Sequence, residues 1–326
     1  MNTSRNIANN GYLQLLTPYI EDIETAAVSN ATISDYCGKL TALLNDQNLF
    51  LNGKKNNEFV QLFGEAHFAT LCLQCHITLN KIPEQKNKKT PDFLFSTNQQ
   101  NIYFEVKTLS VVNGALGINK DLLESLDTQI DIDRQIKNGD KFAIGVSERR
   151  PFAEKPFDAG CISAVVSTLI EKTRQNIKSG QFANPNTFLV LNLCLIPPSI
   201  TDNRILRPAY CDDHIFHKAI TGDLWMLAFG QTGMLVHGQP EFEGKPCIEG
   251  ILDKSGILVD TSYEDVSGLI IVVYPLNKKP HIYGLYRSKD YIKWLEKNHT
   301  LSAILTELNG NNWNDETDSN SWQLNG

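Results

Sequence analysis

Lys88–Leu109, KKTPDFLFSTNQQNIYFEVKTL, is the stretch whose reading decides the fold. Pro91-Asp92 opens a short apolar run of Phe93, Leu94 and Phe95. Residues 96–101 are polar turn material, and Ile102 to Lys107 alternates as a half-buried strand does. The stretch therefore predicts a β-hairpin. Side chains alternate along a strand, so Glu105 and Lys107 share one face while Phe104 and Val106 point from the other into a core. The turn brings Asp92, at the start of the first strand, toward Glu105 on the second. Two carboxylates and one ammonium then converge. The competing reading is a surface cross-strand ion pair of Glu105 with a lysine, a common and weakly stabilising feature.

Mg²⁺ is a hard ion that takes oxygen ligands, keeps several waters and is typically held by one or two carboxylates plus substrate phosphate oxygens. Asp92 and Glu105 are candidate ligands of that kind. Such a metal lowers the pKa of a bound water, and a neighbouring ammonium adds positive charge or orients the attacking water. Lys107 is the candidate for that role. Pro91-Asp92, twelve residues, then Glu105-Val106-Lys107 resembles the PD-(D/E)xK nuclease superfamily, the restriction-endonuclease-like fold. The resemblance implies Asp92 and Glu105 as metal ligands, helped by the backbone carbonyl of Val106, with Mg²⁺ as cofactor and Mn²⁺ as its substitute. It also implies DNA as partner, double-stranded DNA first, and a homodimer as the assembly.

The family usually carries a further Glu on a helix before the hairpin, and Glu65 matches it, which the resemblance implies as a further catalytic and metal-ligating carboxylate. Phe59, Leu62, Phe63, Ala66, Ala69, Thr70 and Leu73 recur at three and four, which predicts an amphipathic helix with Glu65 at the border of its apolar stripe. A solvated surface carboxylate is the alternative for Glu65. Ile77, Leu79 and Ile82 then suggest a first core strand. The pattern of Ile162, Val165, Val166, Leu169, Thr173 and Ile177 predicts a helix over 162–178, followed by a buried strand over 187–195, TFLVLNLCL. The sum is an α/β protein with the family's αβββαβ core and a mixed central sheet. Lys172 and Gln175 resemble the Lys or Gln that many members place on the second helix facing the metal, and an exposed helical face is the competing reading.

Around that core, helices are expected over 12–28 and 33–44, as an N-terminal extension spanning 1–52, with the nuclease domain over 53–308. Residues 108–160 form an insertion with a helical pattern over 120–137 and a loop at Arg149-Arg150-Pro151. Residues 223–229, 268–274 and 281–286 read as three extra strands. Residues 309–326 are a polar, acidic tail without core-forming pattern.

At 326 residues with 41% hydrophobic content, the chain has ample core for one large domain or two small ones. A net charge of −7 excludes a global positive field, so contact with DNA must be local. Lys81, Lys86, Lys88 and Lys89 precede Asp92, and Lys54-Lys55, Lys137, Lys141 and Arg149-Arg150 extend the candidate surface. Seven cysteines without framework spacing and an N-terminus without a continuous apolar core lead to the expectation of a soluble cytoplasmic protein. Cys72-Leu73-Gln74-Cys75-His76 has the spacing of a haem attachment site, but it lies where the helix pattern asks for burial. Cys211-x₂-His214-x₂-His217 raises a structural zinc site with His237 or Cys247, without the two clean ligand pairs such sites show. No P-loop, GxGxxG or HExxH motif occurs. The expected function is a metal-dependent endonuclease acting on DNA, in restriction or defence. The alternatives are a non-catalytic nucleic-acid- or protein-binding module on the same fold and an RNA or repair nuclease.

Overall fold

The computed structural model of the chain describes residues 16–46, 49, 53–84, 89–96, 101–109, 127–146, 162–178, 180–194, 209–213, 216–220, 223–240, 246–274 and 279–287. Two helices open it. Helix α1 (Thr17–Ala27) begins with Pro18 in its first turn, where a missing N–H costs no hydrogen bond. Helix α2 (Ala31–Leu44) is capped by Asn30, whose side chain accepts from the Ile33 N–H at 3.1 Å. Ile33, Tyr36, Cys37, Leu40 and Leu44 recur at three and four along α2 and are buried. Helix α3 (Gly53–Gln74) lies beneath this pair. From residue 63 to 72 every position but Glu65 is buried, so the helix is enclosed nearly all round rather than on a single stripe. Cys72 and Cys75 are buried at its end and form no disulfide.

A six-stranded mixed sheet forms the middle layer, with strands β1 (Asn80–Lys81), β2 (Phe93–Ser96), β3 (Asn101–Thr108), β4 (Thr187–Asn192), β9 (Gly268–Val273) and β10 (His281–Tyr286) side by side in that order. β3, β4 and β9 run parallel, whereas β1 with β2, β2 with β3, and β10 with β9 are antiparallel. Every position of β4 and β9 is buried, which is why both read as unbroken apolar runs. The expected hairpin is present, with Phe93 opposite Phe104 and Ser96 opposite Asn101.

Alternation splits the core in two. Phe104, Val106, Phe188, Val190, Ile270 and Val272 pack against α1–α3. Leu189, Leu191, Leu269 and Ile271 pack on the other face against helix α5 (Ile162–Asn176) and helix α6 (Asp223–Phe229). Each such side chain contributes about 1.5–3 kcal/mol on burial. The architecture is thus α/β with helices on both faces of a mixed sheet.

Helix α4 covers residues 127–137, and residues 141–146 run back along it, the Gln135 amide bonding both the N–H and the carbonyl of Ile144. Two small antiparallel ribbons, β5 (Ala209–Asp213) with β6 (Phe216–Ile220) and β7 (Leu235–Pro240) with β8 (Pro246–Ile251), complete the described chain.

Several expectations are corrected. Residues 223–229 form helix α6, not a strand, and Leu224 to Ala228 are all buried. The first core strand is only Asn80–Lys81, with Ile77 and Leu79 buried ahead of it. The strand expected over 187–195 ends at Asn192. Residues 120–126, Arg149 to Pro151 and the 309–326 tail lie outside the described residues. Among those described, no helix is long and apolar enough to cross a membrane.

Candidate metal centre

Asp92 precedes β2 by one residue and extends its ladder. Its N–H donates to the Phe104 carbonyl at 2.9 Å, its own carbonyl accepts from Ile82 at 2.9 Å, and its Oδ2 accepts from the Val106 N–H at 2.8 Å. The carboxylate takes over the place of a backbone acceptor, so its position is fixed by the sheet rather than by a free rotamer. Glu105 and Lys107 share one face of β3, as the strand period requires, and form an ion pair. Glu105 is 1% exposed and Lys107 16% by side chain, which removes them from the class of solvated surface pairs.

Helix α3 is stitched to the end of β3. The Gln61 side chain donates to the Thr108 carbonyl at 2.7 Å and accepts from the Thr108 N–H at 3.1 Å. Gly64 makes the close approach possible, because a Cβ there would overlap Thr108 Oγ1. That contact sets Glu65 beside the hairpin. Lys81 Nζ lies 2.6 Å from Glu65 Oε2 and 3.1 Å from Asp92 Oδ1, and the Tyr36 hydroxyl donates to the same Glu65 oxygen. Glu65 is therefore a member of the cluster and not a solvated helix carboxylate.

The electrostatics follow from burial. The Glu105 carboxyl is raised to about 7, first because it is desolvated and next because Asp92 is close, with Lys107 opposing both. Glu65 is also raised, by burial and then by Asp92. Burial pulls Lys81 down, but Asp92 and Glu65 together outweigh it and hold its ammonium above the ordinary lysine range.

Two site residues escaped the sequence reading. Gln181, on the turn between α5 and β4, is 7% exposed. Its amide oxygen accepts from the Lys178 N–H at 3.1 Å and its amide nitrogen donates to Glu105 Oε1. Gln175, the residue expected to face the site, is exposed on α5 and bonds Glu171 at 3.0 Å. It lies on the outer face of the helix, whereas Gln181 is the glutamine that reaches Glu105. Lys172 is half-buried on α5, and burial lowers its pKa. Lys81 is the second: the sequence places it among several candidate phosphate-contacting lysines, whereas its ammonium pairs with Glu65 and Asp92. Of the others, Lys89 is exposed near the site and Lys55 pairs with Asp46, while Lys86, Lys88, Arg149 and Arg150 lie outside the described residues.

The donor set is oxygen only. Glu105 Oε1 is shared by Lys107 and Gln181, but Glu105 Oε2 is buried with no hydrogen-bond partner. A buried polar atom left so costs about 1–3 kcal/mol, and more when charged, which a cation in contact would offset. Asp92, Glu105 and the Val106 backbone thus suit a hard divalent ion that keeps most of its waters. Among the described residues no group of three or more His, Cys, Asp or Glu side chains stands together as metal ligands. A centre of two carboxylates completed by waters does not require such a group. In the expected zinc cluster, Cys211 and His217 sit opposite Lys218 and Asp212, at adjacent and hence alternating ladder positions, and His214 lies outside the described residues. No family model, curated protein or solved structure matches the chain.

Proposed function

We propose that the chain is a Mg²⁺-dependent endonuclease that hydrolyses DNA phosphodiester bonds, with Mn²⁺ able to replace Mg²⁺. The observation that carries this reading is the convergence of Asp92, Glu105 and Lys107 at one end of the hairpin, with Glu105 Oε2 buried and unpartnered. The order α3, β1, β2, β3, α5, β4 agrees with the αβββαβ core of the restriction-endonuclease-like fold and supports it. Restriction or defence, and a homodimeric assembly, extend the reading by fold-level analogy alone.

Asp92, Glu105 and the Val106 carbonyl would hold the metal. Bound there, Mg²⁺ supplies a Lewis acid for the phosphate and an acidified water. The Val106 N–H fixes the Asp92 carboxylate, and Gln181 fixes that of Glu105, so neither has to reorganise when substrate arrives. Lys107 stands on the same face, where negative charge would build as the phosphate is attacked.

The test separates an enzyme from a binding module. Lys107→Ala should bind duplex DNA nearly as well as wild type when measured in Ca²⁺, which occupies oxygen sites without supporting Mg²⁺ chemistry. In Mg²⁺ it should cut about 10²-fold more slowly or worse, the usual loss for one preorganised electrostatic group. Weakened binding with an unchanged cutting rate would return Lys107 to a structural or DNA-holding role.

A further inference from the structure

Four groups enclose the Lys81 ammonium. Glu65 Oε2 is at 2.6 Å and Asp92 Oδ1 at 3.1 Å, the Phe93 ring centroid is at 5.1 Å and the Tyr36 ring centroid at 5.5 Å. Two carboxylates and two ring faces make a cation site, and both rings lie within the range where their electron-rich faces attract a positive charge. The backbone fixes its occupant, since Lys81 stands opposite Phe93 in the β1–β2 ladder and cannot slide without breaking that register. Glu65 gains a second donor from Tyr36, which leaves little reason for it to rotate toward Glu105.

From this cage we infer that Lys81 takes the place of a second divalent ion between Glu65 and Asp92, so that the centre holds one metal per chain and Glu65 is not a ligand. The inference rests on the metal centre proposed above and fixes its stoichiometry. A divalent ion entering the Glu65–Asp92 gap would have to expel an ammonium that is mostly out of water. The expelled lysine would regain no partner of equal charge, whereas the Asp92–Glu105 side offers an oxygen with none. The three carboxylates then meet two lysines and one metal rather than one lysine and two metals.

The test counts Mn²⁺ bound per chain by the electron paramagnetic resonance of the free ion, at pH 8, on the full chain. Wild type should bind one. Lys81→Met, and Lys81→Gln as a second variant with a polar end, should each bind one more than wild type. Glu65→Gln combined with Lys81→Met should return to the wild-type number. A wild-type count of two, or lysine variants that bind no more than wild type, would overturn the inference. Variants that fold only when Mn²⁺ is present, and then hold the extra ion, would support it. Cleavage is not read, so the stated counts in a chain that cuts nothing would refute the nuclease and leave the lysine's place intact. A count of two in a chain that cuts DNA would do the reverse.

Discussion

Glu105 shows how a single residue sets the conditions under which the site works. Its carboxyl titrates near 7 in the folded chain, against 4.5 for the free side chain, because burial and Asp92 disfavour its charged form. The folded state therefore holds the proton more tightly than the unfolded one. The stability of the metal-free protein should fall as pH rises from 4.5 through 7, and level off above. Glu105→Gln removes the titration, so its melting temperature should pull ahead of wild type across that window and keep a constant lead beyond it. A difference independent of pH would contradict the assignment. Because only the ionised carboxylate ligates, cation binding to wild type should strengthen over the same range. Glu105, Lys107 and Asp92 were legible in the sequence because strand period and a short turn dictate who faces whom. Gln181 and Lys81 were not. Gln181 meets Glu105 across 76 positions of chain, and nothing local distinguishes Lys81 from the lysines that follow it.

Helix α3 shows what an element contributes. Periodicity located it, and Glu65 sits on it as expected, but its depth came from packing between α1, α2 and the sheet. Gly64 is the residue that lets it approach β3. In Gly64→Ala the helix gains about 1 kcal/mol of intrinsic preference, but overlap with Thr108 costs about 1–3 kcal/mol, so a net loss of stability is expected. In a Thr108→Ala background the overlap with Oγ1 is gone and only the Thr108 Cβ stays close, at 3.3 Å, so the same substitution should cost much less there. Denaturant unfolding of the four proteins checks this, and stabilisation in both backgrounds would contradict the close approach. Helix α6 was misread for a physical reason. Within residues 223–229, Leu224 to Ala228 are a short apolar run buried all round, and such a run carries no period to distinguish helix from strand. β9 was read correctly from a similar run because Ile270, Ile271, Val272 and Val273 are β-branched and suit a pleated surface.

At the scale of the whole molecule, the proposed function pairs an acidic chain with a polyanionic substrate. A net charge of −7 gives no long-range attraction, so under the proposed function affinity for DNA would have to come from a few cations around the hairpin and from the metal itself. The order of the core elements could be read from the sequence because α3, α5 and β3 carry a clear period and β4 and β9 are unbroken apolar runs of strand length. The basic surface could not, since it depends on how loops of no pattern are arranged. The layers place Glu65 from one face of the sheet, Glu105 and Lys107 from the other, and Asp92 where the hairpin begins, so a single centre depends on the entire fold. The most direct measurement is incubation of supercoiled plasmid, linear duplex and single-stranded DNA with wild type, Asp92→Ala and Glu105→Ala, each with Mg²⁺ or with chelator. Wild type should cut in Mg²⁺ and not in chelator, and each folded variant should lose at least about 10²-fold in rate. Full activity in a folded Asp92→Ala protein, undiminished cutting in chelator, or no cutting of any DNA by wild type would contradict a metal-dependent DNA endonuclease at this site.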